Sequence, residues 1–331
     1  MTRLLRAEFR RFFKRRLTLL GLLGALSLML VLSWAIYSST RPPSAEDLVQ
    51  QQANFEQTLK EWESYGGPAQ LEECKKAATA ATPDPNGNWA GMTEKDCEAM
   101  RPALEHFGWT APRIDEAIAA IPGGTVFSLG LIAIVLAASF IGAEFSTGSI
   151  GNWLTYEPRR TRVFASKMVV VVVASAALGI IGNTVMTLVT WLSVNVNEGT
   201  MTWPPGTLTH VVHTYWRGVL MIVAMGLIAA SLAFLTRHTA AVIGVMIGWM
   251  MIVEGTLMGL VERLRNYSLV TNLDAWITGQ STISDYNCDG VGGCQTVERT
   301  ITWVHGGVVW GLLTAALVGL AWLVFSRRDV T

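Results

Sequence analysis

Charge is scarce in this sequence, and what there is of it is unevenly placed. Only 15% of residues are Asp, Glu, Lys or Arg, while 51% are hydrophobic, a lean balance for a soluble globular protein. Lysine is rarer still, and none of the six lysines follows a glycine. A P-loop needs Gly-Lys-Ser/Thr so that backbone amides and lysine cradle phosphates, so the chain carries no such nucleotide site of its own. It also lacks a His-Glu-x-x-His helix motif and a Gly-x-Ser-Gly motif, which leaves intramembrane proteolysis without support. Internal repeats and low-complexity tracts are missing too.

What is present arrives in blocks. Six apolar runs, 17–37, 125–143, 168–194, 218–236, 239–261 and 303–325, approach or meet the roughly 20 residues that a helix needs to span a bilayer. Lipid offers no partner for backbone amides, so these blocks are expected to be helices. The basic residues set the orientation. With the N-terminus inside, fourteen basic and four acidic residues fall on the cytoplasmic side, against eleven basic and twenty acidic outside. The expected topology is six spans with both termini cytoplasmic. The first run is longer than a typical signal-peptide core and no small-x-small cleavage site follows, so it reads as a retained anchor.

Before it, Leu5, Phe9 and Phe12 recur at helical spacing among arginines. Residues 1–16 are therefore expected to form an amphipathic helix in the cytoplasmic interface. Residues 38–124 are the only polar region large enough for a small extracytoplasmic domain, with seven basic and fourteen acidic residues. Ser44-x-x-Asp47 and Thr93-x-x-Asp96 look like capping boxes. Leu48, Phe55, Leu59 and Trp62 share one helical face, and Pro122-Gly123-Gly124 is expected to end the domain. A core of this size is marginal. All four cysteines, Cys74, Cys97, Cys288 and Cys294, map outside, as disulfides in an oxidising compartment would. Four cysteines allow three pairings, and proximity favours Cys74–Cys97 with Cys288–Cys294. Free thiols or metal ligation are the alternatives.

The loop between the second and third spans, 144–167, is the most informative segment. Glu144 closes the second span. Ile150, Trp153 and Leu154 follow at helical spacing, Pro158 is expected to stop that short helix, and Arg159, Arg160 and Arg162 precede Lys167. An exposed helix carrying Trp and Leu fits a docking element for a cytosolic partner. The segment resembles the signature of ABC type-2 exporter permeases. Glu144, Gly148-Ser149-Ile150, Leu154, Pro158, Arg160 and Lys167 match that pattern, with Ser149 where threonine is usual. The layout of a basic in-plane helix and six spans is similar as well.

The resemblance implies a permease subunit in a bacterial inner membrane, with no cofactor of its own. It implies two copies of a separate ABC ATPase subunit that bind ATP and Mg, and a second permease copy or a related permease. The ATPase-coupling residues would be Glu144, Gly148, Ile150, Trp153, Leu154, Pro158, Arg160 and Arg162.

Glu254 is the only acid inside a span. Intramembrane carboxylates are costly and usually face protein or an aqueous cavity. With Asn183 at similar depth it could line an outward substrate pathway; the alternative is an interhelical hydrogen bond. Asp285 to Asp289 match the start of a calcium loop, but position twelve is Thr296 rather than glutamate, so no metal site is assigned. His210 and His213 lie near Trp203, Tyr215 and Trp216 and read as interface residues.

These features predict an all-α polytopic membrane protein with a small, mainly helical, disulfide-stapled domain at 38–124 and an outer loop at 262–302. The favoured function is an exporter permease for an amphipathic or lipophilic cargo, with no nucleic-acid partner. The alternatives are a membrane receptor that senses through 38–124, or an ion-coupled secondary transporter.

Overall fold

The computed structural model describes residues 2–79, 89, 92–104, 107, 109–289 and 293–327. Among the described residues, six helices are long and apolar enough to cross a membrane: Arg16–Thr40 (α2), Ile114–Ser146 (α6), Arg160–Val196 (α8), Thr207–Thr236 (α9), the segment Thr239–Leu260, and Trp303–Arg327 (α13). The chain divides into two compact units. One contains these helices; the other comprises residues 40–112 and 287–295.

In the first unit, α6, α8 and α9 pack most extensively on one another. They form a core through Leu129 and Phe140 of α6, Val171 and Met186 of α8, and Ile222 and Ala229 of α9. Small residues let these helices approach: Gly226 of α9 faces Ser175 of α8, and a Cβ there would stand 2.4 Å from the serine hydroxyl. Such contacts are the means by which apolar helices select neighbours in lipid. At one end of the bundle, Phe145, Phe164, Phe234 and Phe325 bring four helices into a single aromatic cluster, with centroids 4.8 Å apart for Phe164–Phe234 and 5.1 Å for Phe234–Phe325. By contrast α2 is covered only along a thin stripe that includes Thr18, Ala25 and Met29, and most of its leucines are exposed. Preceding it, the helix Thr2–Lys14 (α1) buries Phe12 against Phe140 with ring centroids 5.2 Å apart.

The helix α6 begins at Ile114 rather than at Thr125, and Pro122, Gly123 and Gly124 lie inside it. Proline removes only one amide bond from the helix, and buried Ile114, Ile118 and Ile121 on the preceding turns hold it to the bundle. The break expected there does not occur.

The fifth span is not uniformly α-helical. It runs as Thr239–Gly248 (α10), a π-helical stretch Trp249–Leu257 and the short turn Met258–Leu260 (α11). Beyond it, where an outer loop is expected, stand a 3-10 turn Glu262–Tyr267, the helix Leu269–Thr278 (α12) and a two-stranded sheet of Gln280–Asp289 (β1) and Gly293–Thr302 (β2). This hairpin corrects the all-α expectation. Ile283 and Ile301, one from each strand, bury against Ala275 of α12, which gives the strands an apolar footing. Helix α12 lies close to α13: a Cβ on Gly306 would meet the Asn272 carbonyl at 2.5 Å.

The second unit holds the helices Ala45–Ser64 (α3), Gly67–Ala78 (α4) and Glu94–Glu98 (α5). Both capping boxes form, Ser44 with Asp47 and Thr93 with Asp96, each satisfying two amides that the helix start leaves open. Of the expected apolar face on α3, Phe55 packs edge-on to Phe107 at 5.8 Å and Trp62 lies over Gly67, while Leu48 stays exposed. The core of this unit is small. Its tightest feature is the disulfide Cys74–Cys97, which ties α4 to α5 with both cysteines fully buried. The side chains of Cys288 and Cys294, like those of Asp285 to Val297, lie outside the described residues.

The disulfide closes a loop of 23 residues, and chain-entropy arguments put its removal at about 3 kcal/mol. Cys74 and Cys97 are expected to resist alkylation in denatured, unreduced protein. Cys74→Ser should leave membrane insertion intact while making residues 40–112 sensitive to limited proteolysis, read by mass spectrometry. Equal protease resistance in the variant would show that α4 and α5 hold without the bond.

Candidate functional site

Glu144 sits near the C-terminal end of α6 and is 1% exposed. A carboxylate there requires cations, and two reach it. Lys167 of α8, fully buried, places Nζ 2.5 Å from Glu144 Oε2 and 3.1 Å from Glu8 Oε2 of α1. Arg15, the residue between α1 and α2, bonds Glu144 Oε1 at 2.8 Å and donates to the carbonyls of Ser139 (3.1 Å) and Phe140 (2.9 Å). The Phe140 ring lies under both cations, 5.1 Å from the Arg15 guanidinium carbon and 4.9 Å from Lys167 Nζ. Two carboxylates and two cations from separate parts of the chain thus form a cluster of zero formal charge, buried except at Arg15. Burying ions is tolerable only when they are paired and hydrogen-bonded like this. One oxygen remains over: Glu8 Oε1 is buried with no partner among the described residues. Burial raises the Glu8 pKa, and the negative charge of Glu144 adds to the rise, against the pull of Lys167.

Next to this cluster the chain turns. Gly148 adopts a left-handed conformation with φ of 67°, which glycine accepts without steric cost, and the helix Ser149–Tyr156 (α7) follows. Ile150 is buried in the core. Trp153 is half-buried beneath Arg11 of α1, whose guanidinium carbon lies 4.2 Å from the ring centroid. Its Nε1 is buried without a partner among the described residues. Tyr156, one turn on, is 86% exposed. Pro158 stands in the gap between α7 and α8, Arg160 opens α8, and Arg162 pairs with Glu157 at 3.7 Å. The Leu154 side chain lies outside the described residues.

On α7, therefore, Trp153 packs beneath Arg11 of α1 and Tyr156 is the exposed aromatic. Sequence reasoning brought Glu144 and Lys167 into one motif but missed Glu8, Arg11, Arg15 and Tyr156. One signal was readable. Glu8 is the lone acid in the first sixteen residues, and its spacing from Leu5 and Phe12 puts it on the apolar side of α1.

Glu254 and Asn183 line different cavities. Glu254 lies in the π-helical stretch, and its carboxylate accepts bonds from the Ser268 hydroxyl (2.6 Å), the Leu269 amide (2.7 Å) and Trp249 Nε1 (3.2 Å). It thereby caps the N-terminus of α12, a favourable place for negative charge. Asn183 of α8 is buried, donates to the Tyr215 carbonyl at 3.5 Å and leaves Oδ1 without a partner among the described residues. It borders a narrow cavity with Thr187, Thr214 and Tyr215.

The chain belongs to the family described as "Protein of unknown function (DUF2705)", which matches residues 125–331. No curated protein and no solved structure matches it.

The family match begins at residue 125, so it takes in Glu144 and Lys167 but not Glu8 or Arg15. The two halves of the cluster can be separated experimentally. Lys167→Met leaves Glu144 with Arg15 alone and Glu8 buried with no ion-pair partner among the described residues, and breaking a buried pair in this way costs about 3–5 kcal/mol; a large fall in the thermal midpoint of the detergent-solubilised protein is expected. Glu8→Gln removes the charge that burial opposes, so it should be tolerated at pH 7. Because the folded Glu8 pKa is raised, the stability tied to its proton is full below the unfolded value and is lost as pH rises through the folded one. The wild type should therefore gain stability relative to Glu8→Gln as pH falls from 7 towards 4.5. A parallel pH dependence in the two proteins would contradict this account of Glu8.

Proposed function

We propose that the chain is the permease subunit of an ATP-driven exporter in a bacterial inner membrane, with both termini cytoplasmic and α1 lying in the cytoplasmic interface. Its energy would come from two copies of a separate ABC ATPase subunit carrying ATP and Mg. A second copy of the chain, or a related permease, would complete the pathway, and amphipathic or lipophilic molecules are the cargo class. The observation that carries this reading is α7. It is a short helix in the loop between two core spans, fastened by Ile150 in the core and by Trp153 under Arg11. A push on such an element would pass into α1, α6 and α8 together, because the Glu8–Lys167–Glu144–Arg15 cluster joins their ends. The match of Glu144, Gly148, Ile150, Pro158, Arg160 and Lys167 to the exporter pattern supports the same reading.

In this reading α7 offers Tyr156 to the ATPase, while Trp153 fixes the helix that presents it. An exposed aromatic at the centre of a docking contact carries a large share of its energy, typically 2 kcal/mol or more on truncation. Tyr156→Ala is expected to weaken capture of the partner ATPase at least tenfold in detergent pull-down, with unchanged insertion and thermal stability. Trp153→Ala should lower both capture and stability, since it also releases Arg11. Arg162→Ala should have a smaller effect that fades with salt. Full capture by Tyr156→Ala would remove that residue from the contact. Failure of the wild type to associate with any ATPase would overturn the exporter reading in favour of a receptor that uses the disulfide-held unit as its sensor.

A further inference from the structure

Between α1 and the start of α7 lies an open cleft of about 440 Å³, lined by Arg10, Arg11, Lys14, Arg15, Glu144 and Ser149. Its charge is not balanced within the protein. Arg15 and Lys167 are engaged with Glu144 and Glu8 in a cluster that sums to zero, and Arg11 rests on the Trp153 ring. Arg10 and Lys14 are exposed and form no ion pair among the described residues. Arg10, Arg11 and Lys14 therefore converge on a cleft whose one lining carboxylate, Glu144, is already paired with Arg15 and Lys167. The far wall adds to this field. Ser149 opens α7, and Gly148 before it supplies no side-chain cap, so the positive end of the α7 dipole adds to the field of the cleft.

The apolar surroundings identify the kind of anion. Phe13 beside Lys14, and Leu17 and Leu20 on the first turns of α2, are 51%, 46% and 63% exposed. Basic groups thus give way to bare apolar surface within two turns, the order of chemistry met on passing from the headgroups of a bilayer to its acyl chains. A soluble anion would use the cations and leave Phe13, Leu17 and Leu20 unsatisfied; a phospholipid would use both.

We propose that this cleft binds the phosphate of an anionic phospholipid headgroup, held by Arg10, Arg11 and Lys14 against the amide end of α7, with the acyl chains along Phe13 and α2. The bound lipid supplies the missing negative charge and bridges α1 to α7. The proposal rests on the placement of α1 in the membrane interface but not on any ATPase partner.

The test uses the full chain, purified in mild detergent, depleted of lipid and then given dioleoyl phosphatidylglycerol or dioleoyl phosphatidylcholine. Phosphatidylglycerol should be retained through gel filtration and raise the thermal midpoint, and phosphatidylcholine should do neither. Arg10→Gln with Lys14→Gln should weaken phosphatidylglycerol retention about tenfold or more, as loss of two charge-assisted contacts implies. Lys14→Gln alone gives the same direction if the double variant does not fold. Arg159→Gln, outside the cleft, should retain the lipid as the wild type does. Equal retention of the two lipids, or an equal loss in Arg159→Gln and the cleft variants, overturns the site. Millimolar inorganic phosphate that displaces the lipid and gives the same stabilisation overturns the lipid as its occupant. A photocrosslinking residue in place of Phe13, in nanodiscs of each lipid, separates the premise from the proposal. Lipid adducts without selectivity leave α1 in the interface and sink the site, whereas no adducts at all would sink the placement on which it depends.

Discussion

A buried lysine sets the arrangement of this molecule's basic end. Lys167, fully buried on α8, is met there by Glu144 and Glu8, and Glu144 is also met by Arg15. Each member fixes a different piece of backbone. Once Lys167 is placed, α1 must lie with Glu8 inward, the chain must turn at Arg15 before α2, and the end of α6 must stand beside the start of α8. Ion pairs of this kind add little net stability compared with apolar packing, but their loss one partner at a time is costly. Their effect here is to specify position: the apolar stripe of α1 could slide along the bundle, whereas Glu8 has one place to go.

The aromatic cluster of Phe145, Phe164, Phe234 and Phe325 complements this constraint. It gathers the ends of α6, α8, α9 and α13 without caring about polar register, because ring contacts tolerate many angles. Apolar gathering and ionic alignment therefore share the same end of the bundle. The short α7 grows from that end, and its two aromatic residues divide the work: Trp153 is held inward under Arg11, and Tyr156 is held outward. Helix α7 is in this sense anchored to the ionic and aromatic end of the bundle.

Much of the fold was legible because its signals were long. Runs of about twenty apolar residues mark the spans without reference to partners, and the two capping boxes are complete within four residues each. The pairing of Cys74 with Cys97 followed from proximity in the chain. What escaped depended on contacts remote in sequence. Nothing local says that Glu8 meets Lys167, since the meeting is created by the fold of α1 back onto α8. The hairpin β1–β2 was hidden for a related reason: Ile283 and Ile301 are isolated apolar residues in a polar stretch, and only α12 gives them something to bury against. That Trp153 is covered and Tyr156 exposed was not readable either, because residues three apart on a short helix are neighbours and which of them α1 covers is a tertiary fact. Pro122 misled in the opposite way. As a local breaker it outweighed the isoleucines before it, yet packing held the helix together through it.

The π-helical stretch in the fifth span carries a consequence for how the chain could have changed through descent. A π turn accommodates one residue more than an α turn, so removing a single residue from Trp249–Leu257 would let the span relax to ordinary α geometry without breaking it. The helix on either side would keep its facing, while residues inside the stretch would be displaced around the axis by up to about 100°. Glu254 would no longer face Ser268 and Leu269, and α12 would lose the carboxylate that closes its first turn. The extra residue and the acid are thus interdependent. A lineage that lost the insertion would be under pressure to lose the glutamate too, leaving a gap and a substitution that travel together as a single inherited event.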